Sequence, residues 1–442
     1  MTKRYICVHG HFYQPPRENP WLGTIEPQPS AHPFQDWNER ILAECYRPNT
    51  AAKILGVGGA ADRVVNNYSR MSFNFGPTLL SWMEEQAADV HDAIVAADRA
   101  SVERFGHGSA MAQGYNHVIL PLANDHDRNL QVAWGVRDFE RRFGRRPEGM
   151  WLPETAVDTA SLEALADHGL AFTLLAPHQA KRHRRIGEET WSDTPIDTHH
   201  TYRANLPSGR SIDLFFYDGG TSSAVAFHRL LDDGHAFAQR LISEDEGLSH
   251  IATDGESYGH HHRHGEMALA FAMDTIDQSD RVELINYAAY RARHPAEREV
   301  EIAENTSWSC AHGVERWRSD CGCHSGAKPE WHQRWRAPLR AALDWLRDEL
   351  TKIKGSESDE LAEMQRNAQL MYTSCGWFFD DISGIETVQI IEYAARAMEL
   401  AEQVAGISLE PEFLDRIAEA PSNVADMANG RRVYETRVRK LR

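Results

Sequence analysis

The chain has 442 residues, enough for a sizeable core and more than one structural unit. Its formal charge of −18 argues against a nucleic-acid backbone or an anionic membrane surface as partner. It contains no run of about 18 apolar residues that would span a membrane. Its first residues lack the apolar stretch of a secretory signal. A cytoplasmic protein is therefore expected, with its six cysteines as thiols.

Short apolar, β-branched or aromatic runs predict strands at 5–8, 71–75, 149–152, 171–175, 212–217, 248–253 and 299–303. Between them, Ala133, Val136 and Phe139 fall at helical spacing and predict a helix over 130–143; 267–276 predicts another. Strands alternating with helices imply parallel pairing in a barrel or a doubly wound sheet. Polar residues cluster just past these strands: His9 and His11, Asn74, Glu154, Asp218 and Asp254. In a barrel of this kind all such points lie on one rim, where active sites form. The last third changes character. Helical periodicity predicts helices over 335–353, 361–371 and 385–401, with a loop at 355–359. Residues 305–442 are read as a helical unit packed on a barrel formed by residues 1–304.

Two carboxyl groups flanking a glycosidic bond suffice for its hydrolysis: one protonates the leaving oxygen, and the other attacks the anomeric carbon or activates water. Glu154 follows a strand, with Pro153 stiffening the exit and Trp151 beside it. Asp254 ends an apolar strand, where desolvation raises a carboxyl pKa, and Gly255 allows close approach. A helix-opening Glu and an Asp-Gly turn are the bland alternatives for these two residues.

Three segments carry a resemblance: His9-Gly-His11-Phe-Tyr-Gln14-Pro15, Trp151-Leu-Pro-Glu154 and Thr253-Asp254-Gly255-Glu256-Ser-Tyr-Gly259. Together, in this order, they resemble the signature regions of glycoside hydrolase family 57 over the first 300 residues. A fourth segment, Tyr372 to Asp381, resembles one from the helical region that completes the site in a subgroup of that family. Longer members of the subgroup continue into a domain of unknown function, and this chain is expected to stop in or near its start, as a shortened form would. The resemblance implies an incomplete TIM-like (β/α)7 barrel followed by a C-terminal helical unit. It also implies a retaining mechanism on α-linked glucans, by hydrolysis or transfer. Glu154 then falls on the nucleophile and Asp254 on the acid/base. His9 and His11 fall on the subsite next to the cut. Gln14, Asn74, His117, Glu256, Asp380 and Asp381 are further substrate-binding expectations, with Trp21, Trp151 and Trp377 stacking on sugar faces. Two departures stand out. Phe12 and Tyr13 intervene before Gln14, and Asn74 stands where the family usually has a Glu.

No metal or cofactor is expected. Cys310-Ala-His312 and Cys321-Gly-Cys323-His324 offer thiolates and imidazoles that suit tetrahedral zinc. The reading preferred here is a Trp-rich loop over the barrel mouth, with Glu315, Arg316 and Trp317 facing substrate. The run His260 to His264 is read as a solvated loop. The main rival function is a zinc hydrolase of the α-mannosidase or polysaccharide deacetylase kind, with His9, His11 and Asp125 or His126 as ligands. A glycan-binding protein without catalysis is the third possibility.

Overall fold

The structure is a computed structural model and describes residues 4–56, 58–242, 247–354 and 358–441. The chain divides into two compact units. The first holds residues 1–14, 28–115 and 128–304; the second holds 15–27, 116–127 and 305–442. Two short segments from within the first 304 residues thus belong to the second unit.

Seven parallel strands close the first unit into an incomplete TIM-like barrel. They are β1 (Arg4–Phe12), β2 (Ser72–Phe75), β3 (Ala112–Gln113), β4 (Met150–Trp151), β5 (Phe172–Leu175), β6 (Ser211–Phe216) and β7 (Leu248–Asp254). β1 pairs with β2 on one side and β7 on the other. A parallel bridge from Phe73 to Ala110 leads on to β3, which pairs with β4. A bridge from Gly149 to Phe172 leads to β5, which pairs with β6. Asp218 N donates to His250 O at 2.8 Å and joins the end of β6 to β7. Parallel strands covered on both faces read as continuous apolar runs. That is why Ile6–Val8 and Phe172–Leu175 are buried without interruption. Helices follow the strands, among them Pro77–Gln86, Asp125–Phe143, Thr159–Asp167, Gly219–Phe227 and Gly265–Asp277.

The strand predicted at 299–303 exists, as Arg298–Ile302, but is not a barrel strand. It lies in a side sheet, antiparallel to Ala180–Arg185. Arg182 pairs with Glu301 at 2.7 Å and Arg184 with Glu299 at 2.8 Å. The reason is its alternation: charged Glu299 and Glu301 interleave with buried Val300 and Ile302, the pattern of a strand with one wet face.

The second unit packs the helices Arg336–Lys352, Asp359–Leu370, Ile385–Ala405 and Glu410–Ile417. Leu339, Leu343, Leu346 and Leu350 bury one face of the first of these. Ile385–Ala405 outruns its predicted end by four residues and stops at Gly406, whose φ of 68° suits glycine. The predicted loop at 355–359 falls partly outside the described residues, and Ser358 caps the helix that follows it. Gln369 Nε2 donates to Asp127 at 2.8 Å, and Arg340 donates to Leu122 O at 2.7 Å, tying the segment 116–127 into this unit. Among the described residues, no helix is long and apolar enough to cross a membrane.

Candidate active site

Strand register builds the site. His11 is the Cα partner of Asn74 on β2 and of Asp254 on β7, so one row crosses three strand ends. His9 and His11 are two residues apart on β1 and share a face. Asn74 links them. Its Oδ1 lies 3.0 Å from His9 Nε2, and its Nδ2 lies 2.9 Å from His11 Nδ1. The same Nδ2 donates to Gln113 Oε1 at 2.7 Å. With Asn74 Nδ2 donating, His11 Nδ1 accepts and its Nε2 carries the proton. Ser72 Oγ sits 3.0 Å from His9 Nδ1, so both ring nitrogens of His9 are engaged. Burial pushes the His9 imidazole down to about 3, so it is neutral. Trp151 lies flat against both rings, with centroids 5.0 Å from His9 and 4.9 Å from His11.

Glu154 follows β4 by way of Pro153. Its backbone is left-handed, at φ 59°, and Thr155 repeats this at φ 49°. Such residues cost of order 1–3 kcal/mol each and persist only where neighbours fix them. Here Gln179 fixes them. Its Nε2 donates to Thr155 O at 2.8 Å, and its Oε1 accepts from Thr155 Oγ1 at 2.9 Å. The half-buried Glu154 side chain thus leaves a strained, clamped turn.

Asp254 ends β7 with its side chain open to solvent, while the protein around it still desolvates the carboxyl. Burial, then the charges of Glu256 and Glu154, hold its pKa well above the usual carboxylate range. Glu256 is buried; its Oε1 accepts from Tyr46 Oη at 2.6 Å and from Tyr13 N at 3.0 Å. Burial outweighs these bonds and pushes Glu256 up to about 7.

The first unit thus gathers His9, His11, Asn74, Trp151, Glu154, Asp254 and Glu256, with Gln14 beside them, its Nε2 donating to Tyr13 O at 3.0 Å. Asp218 is not part of this group. It caps the helix Gly219–Phe227, accepting from Gly220 N at 2.8 Å. Gln113, Ser72 and Tyr46 belong to the group and were not foreseen.

The remaining expected residues lie in the second unit. His117 is buried there, its Nδ1 2.5 Å from Ser374 Oγ. Trp21 Nε1 donates to Glu399 at 2.7 Å. The Asp380 carboxylate accepts from Ser325 N and Ala327 N at 3.0 and 3.1 Å. Asp381 accepts from Ser383 N at 2.9 Å and from Ser422 Oγ at 2.9 Å. Both carboxylates hold backbone turns in the second unit. Trp151 and Trp377, expected to stack on sugars, are 0% and 1% exposed. Their faces are taken by His9 and His11 in one case and by Trp335 and Arg340 in the other. Trp317 is likewise buried, and Glu315 pairs with Arg318. Among the described residues, the one grouping of three or more metal-type donors is Cys310, His312, Cys321 and Cys323, in the second unit. Among the described residues, His9 and His11 join no such grouping.

A family model for glycosyl hydrolase family 57 matches residues 34–303, and one for a domain of unknown function, DUF3536, matches 331–362 and 356–442. The chain belongs to glycosyl hydrolase family 57. It is 21% identical over 230 residues to a 4-alpha-glucanotransferase of Thermococcus litoralis, covering 51% of this chain and 32% of that protein. The chain thus spans about a third of that curated relative. Among solved structures, it resembles a family 57 branching enzyme of Pyrococcus horikoshii, with TM-score 0.61, 17% identity and 94% of each chain covered. An alpha-amylase of Thermotoga maritima gives TM-score 0.61 at 14% identity, with 98% of this chain and 99% of that one covered. At these identities the structural likeness shows the fold.

Proposed function

We propose that the chain is a retaining glycoside hydrolase or glucanotransferase acting on α-linked glucans. The observation that carries this reading is the placement of two carboxylates on one strand-end rim: Glu154 on its clamped turn after β4, and Asp254 at the end of β7 in register with His11. A carboxyl that keeps its proton near neutrality serves as an acid, and one that ionises serves as a nucleophile. Asp254 donates its proton to the glycosidic oxygen while Glu154 Oε attacks the anomeric carbon. The bond to the leaving sugar breaks, and a glycosyl-enzyme ester forms. Asp254, now a carboxylate, takes a proton from water or from a sugar hydroxyl. That oxygen displaces Glu154 and gives hydrolysis or transfer. His11, with its Nε2 protonated, donates to a sugar hydroxyl beside the cut. His9 and Asn74 orient it, and Trp151 holds both rings flat.

The α-glucan substrate class is supported by the glucanotransferase, branching-enzyme and amylase relatives together. The test is product analysis on a panel of α-glucans and oligosaccharides. Turnover of α-linked glucans that is lost in both Glu154→Gln and Asp254→Asn supports the proposal. Full activity in either variant refutes the assignment.

A further inference from the structure

We propose that Cys310, His312, Cys321 and Cys323 form a closed, structural Zn²⁺ site in the second unit. One donor atom from each residue falls within 4.8 Å of all the others. Cys310 Sγ lies 3.9 Å from Cys323 Sγ, and Cys323 Sγ lies 3.4 Å from His312 Nδ1. A tetrahedron with Zn–S near 2.3 Å and Zn–N near 2.0–2.1 Å has edges of about 3.8 Å and about 3.5 Å. The spacings match those edges, and all six cysteines of the chain are thiols.

The local sequence folds to present these donors. Gly313 N donates to Cys310 O at 3.1 Å and closes a turn around His312. Gly313 has φ 80°, and a Cβ there would meet Asn305 O at 2.2 Å, so only glycine fits. Gly322, at φ 78°, turns the chain between Cys321 and Cys323. Cys-X-His and Cys-X-Cys corners thus supply two ligands each.

An independent observation concerns charge. Arg336 is 0% exposed, makes no ion pair with a carboxylate among the described residues, and its Nε has no hydrogen-bond partner. Its Nη1 points at Cys321 Sγ, 3.9 Å away, and its Nη2 donates to Phe378 O and Phe379 O at 3.0 and 3.1 Å. A buried guanidinium needs a compensating charge. Three thiolates and one Zn²⁺ carry a net −1, which joins the nearby Asp380 carboxylate in supplying it, and the Arg336 bond orients a ligand from outside the coordination shell. The surrounding stretch also needs a staple. Between Ile302 and Arg336 the only regular element is the turn Glu315–Trp317. Unstructured segments that long are uncommon in compact units unless something else holds them. With four protein ligands, the metal has no open position, so its role is to hold this stretch and not to catalyse.

The test is metal analysis of the full chain purified under reducing conditions. Stoichiometric zinc is expected, released by thiol modification, with a fall in Tm on release. Co²⁺ exchanged into the site should show the visible bands of tetrahedral thiolate coordination. Cys323→Ser should lose most of the zinc. If that variant fails to fold, Cys323→His, which keeps a ligand, should retain zinc and shift the Co²⁺ spectrum. Absence of zinc together with failure of the apo chain to take up Zn²⁺ would overturn the proposal. So would zinc content unchanged in a variant lacking all four ligands, or a Cys310–Cys323 disulfide found by mass spectrometry. The carboxylate mechanism does not depend on any of these results.

Discussion

The Tyr46 hydroxyl donates to Glu256 Oε1 at 2.6 Å, across 210 positions of sequence. That bond places a buried carboxyl two residues from Asp254. Glu256 is in turn the leading charge, after burial itself, that raises the Asp254 pKa. Asp254, the proposed acid/base, thus has its carboxyl raised by a neighbour that need not touch substrate.

Glu256→Gln keeps the acceptor for Tyr46 and removes the charge. With that charge gone, the Asp254 pKa falls. Asp254 works as an acid below its folded pKa and fails as pH rises through it. The basic limb of the kcat/KM profile is therefore expected to move to lower pH in Glu256→Gln, as a pH–rate series will show. An unmoved limb would mean that Glu256 does not tune Asp254.

The same substitution has a stability signature of definite sign. Folding raises Glu256 from its ordinary 4.5 to about 7, so between those values the folded chain binds the extra proton. Its contribution is fully present below 4.5 and is lost as pH rises to about 7. Glu256→Gln lacks this loss. The variant's Tm advantage over the parent chain should grow between pH 5 and pH 8 in thermal melts.

Asn74→Asp keeps the acceptor facing His9 and deletes the donor facing His11 and Gln113. His11 then moves its proton to Nδ1 and loses the outward N–H. Turnover is expected to fall about tenfold, the worth of one hydrogen bond made to the reacting sugar. Imidazole tautomers read by nitrogen NMR, alongside kcat, check both halves of this expectation.

Gln179→Leu removes the clamp on the left-handed turn at Glu154 and Thr155. Ala176 N, which donates to Gln179 Oε1 at 2.8 Å, loses its partner as well. A stability loss of about 1–3 kcal/mol per orphaned buried group is expected in denaturant titrations. Kinetics should show kcat falling more than KM changes, because the substitution moves Glu154 without touching binding groups.

Much of the first unit was legible because parallel barrel strands leave apolar runs, and because Glu154 and Asp254 sit directly after two of them. β3 was not legible. Its two residues, Ala112 and Gln113, are held by neighbours on both sides and show no periodicity of their own, so Gln113 was missed. The bond from Tyr46 to Glu256 joins distant segments and leaves no local trace. The burial of Trp151 and Trp377 was not legible, since an indole reads the same in sequence whether its face is open or covered. The turns that Asp380 and Asp381 hold were not legible either, because an acid that holds a turn reads the same in sequence as an acid that binds a sugar. The strand at 299–303 carried its correction in plain view, in the alternation of Glu299, Val300, Glu301 and Ile302.

The central claim is double displacement through Glu154, and the anomeric form of the first product tests it most directly. Proton NMR of an α-glucan digest, recorded before mutarotation, should show the new reducing end as the α-anomer, with the signal absent in Glu154→Gln. A β-anomer as first product would mean single displacement by water and would contradict the account.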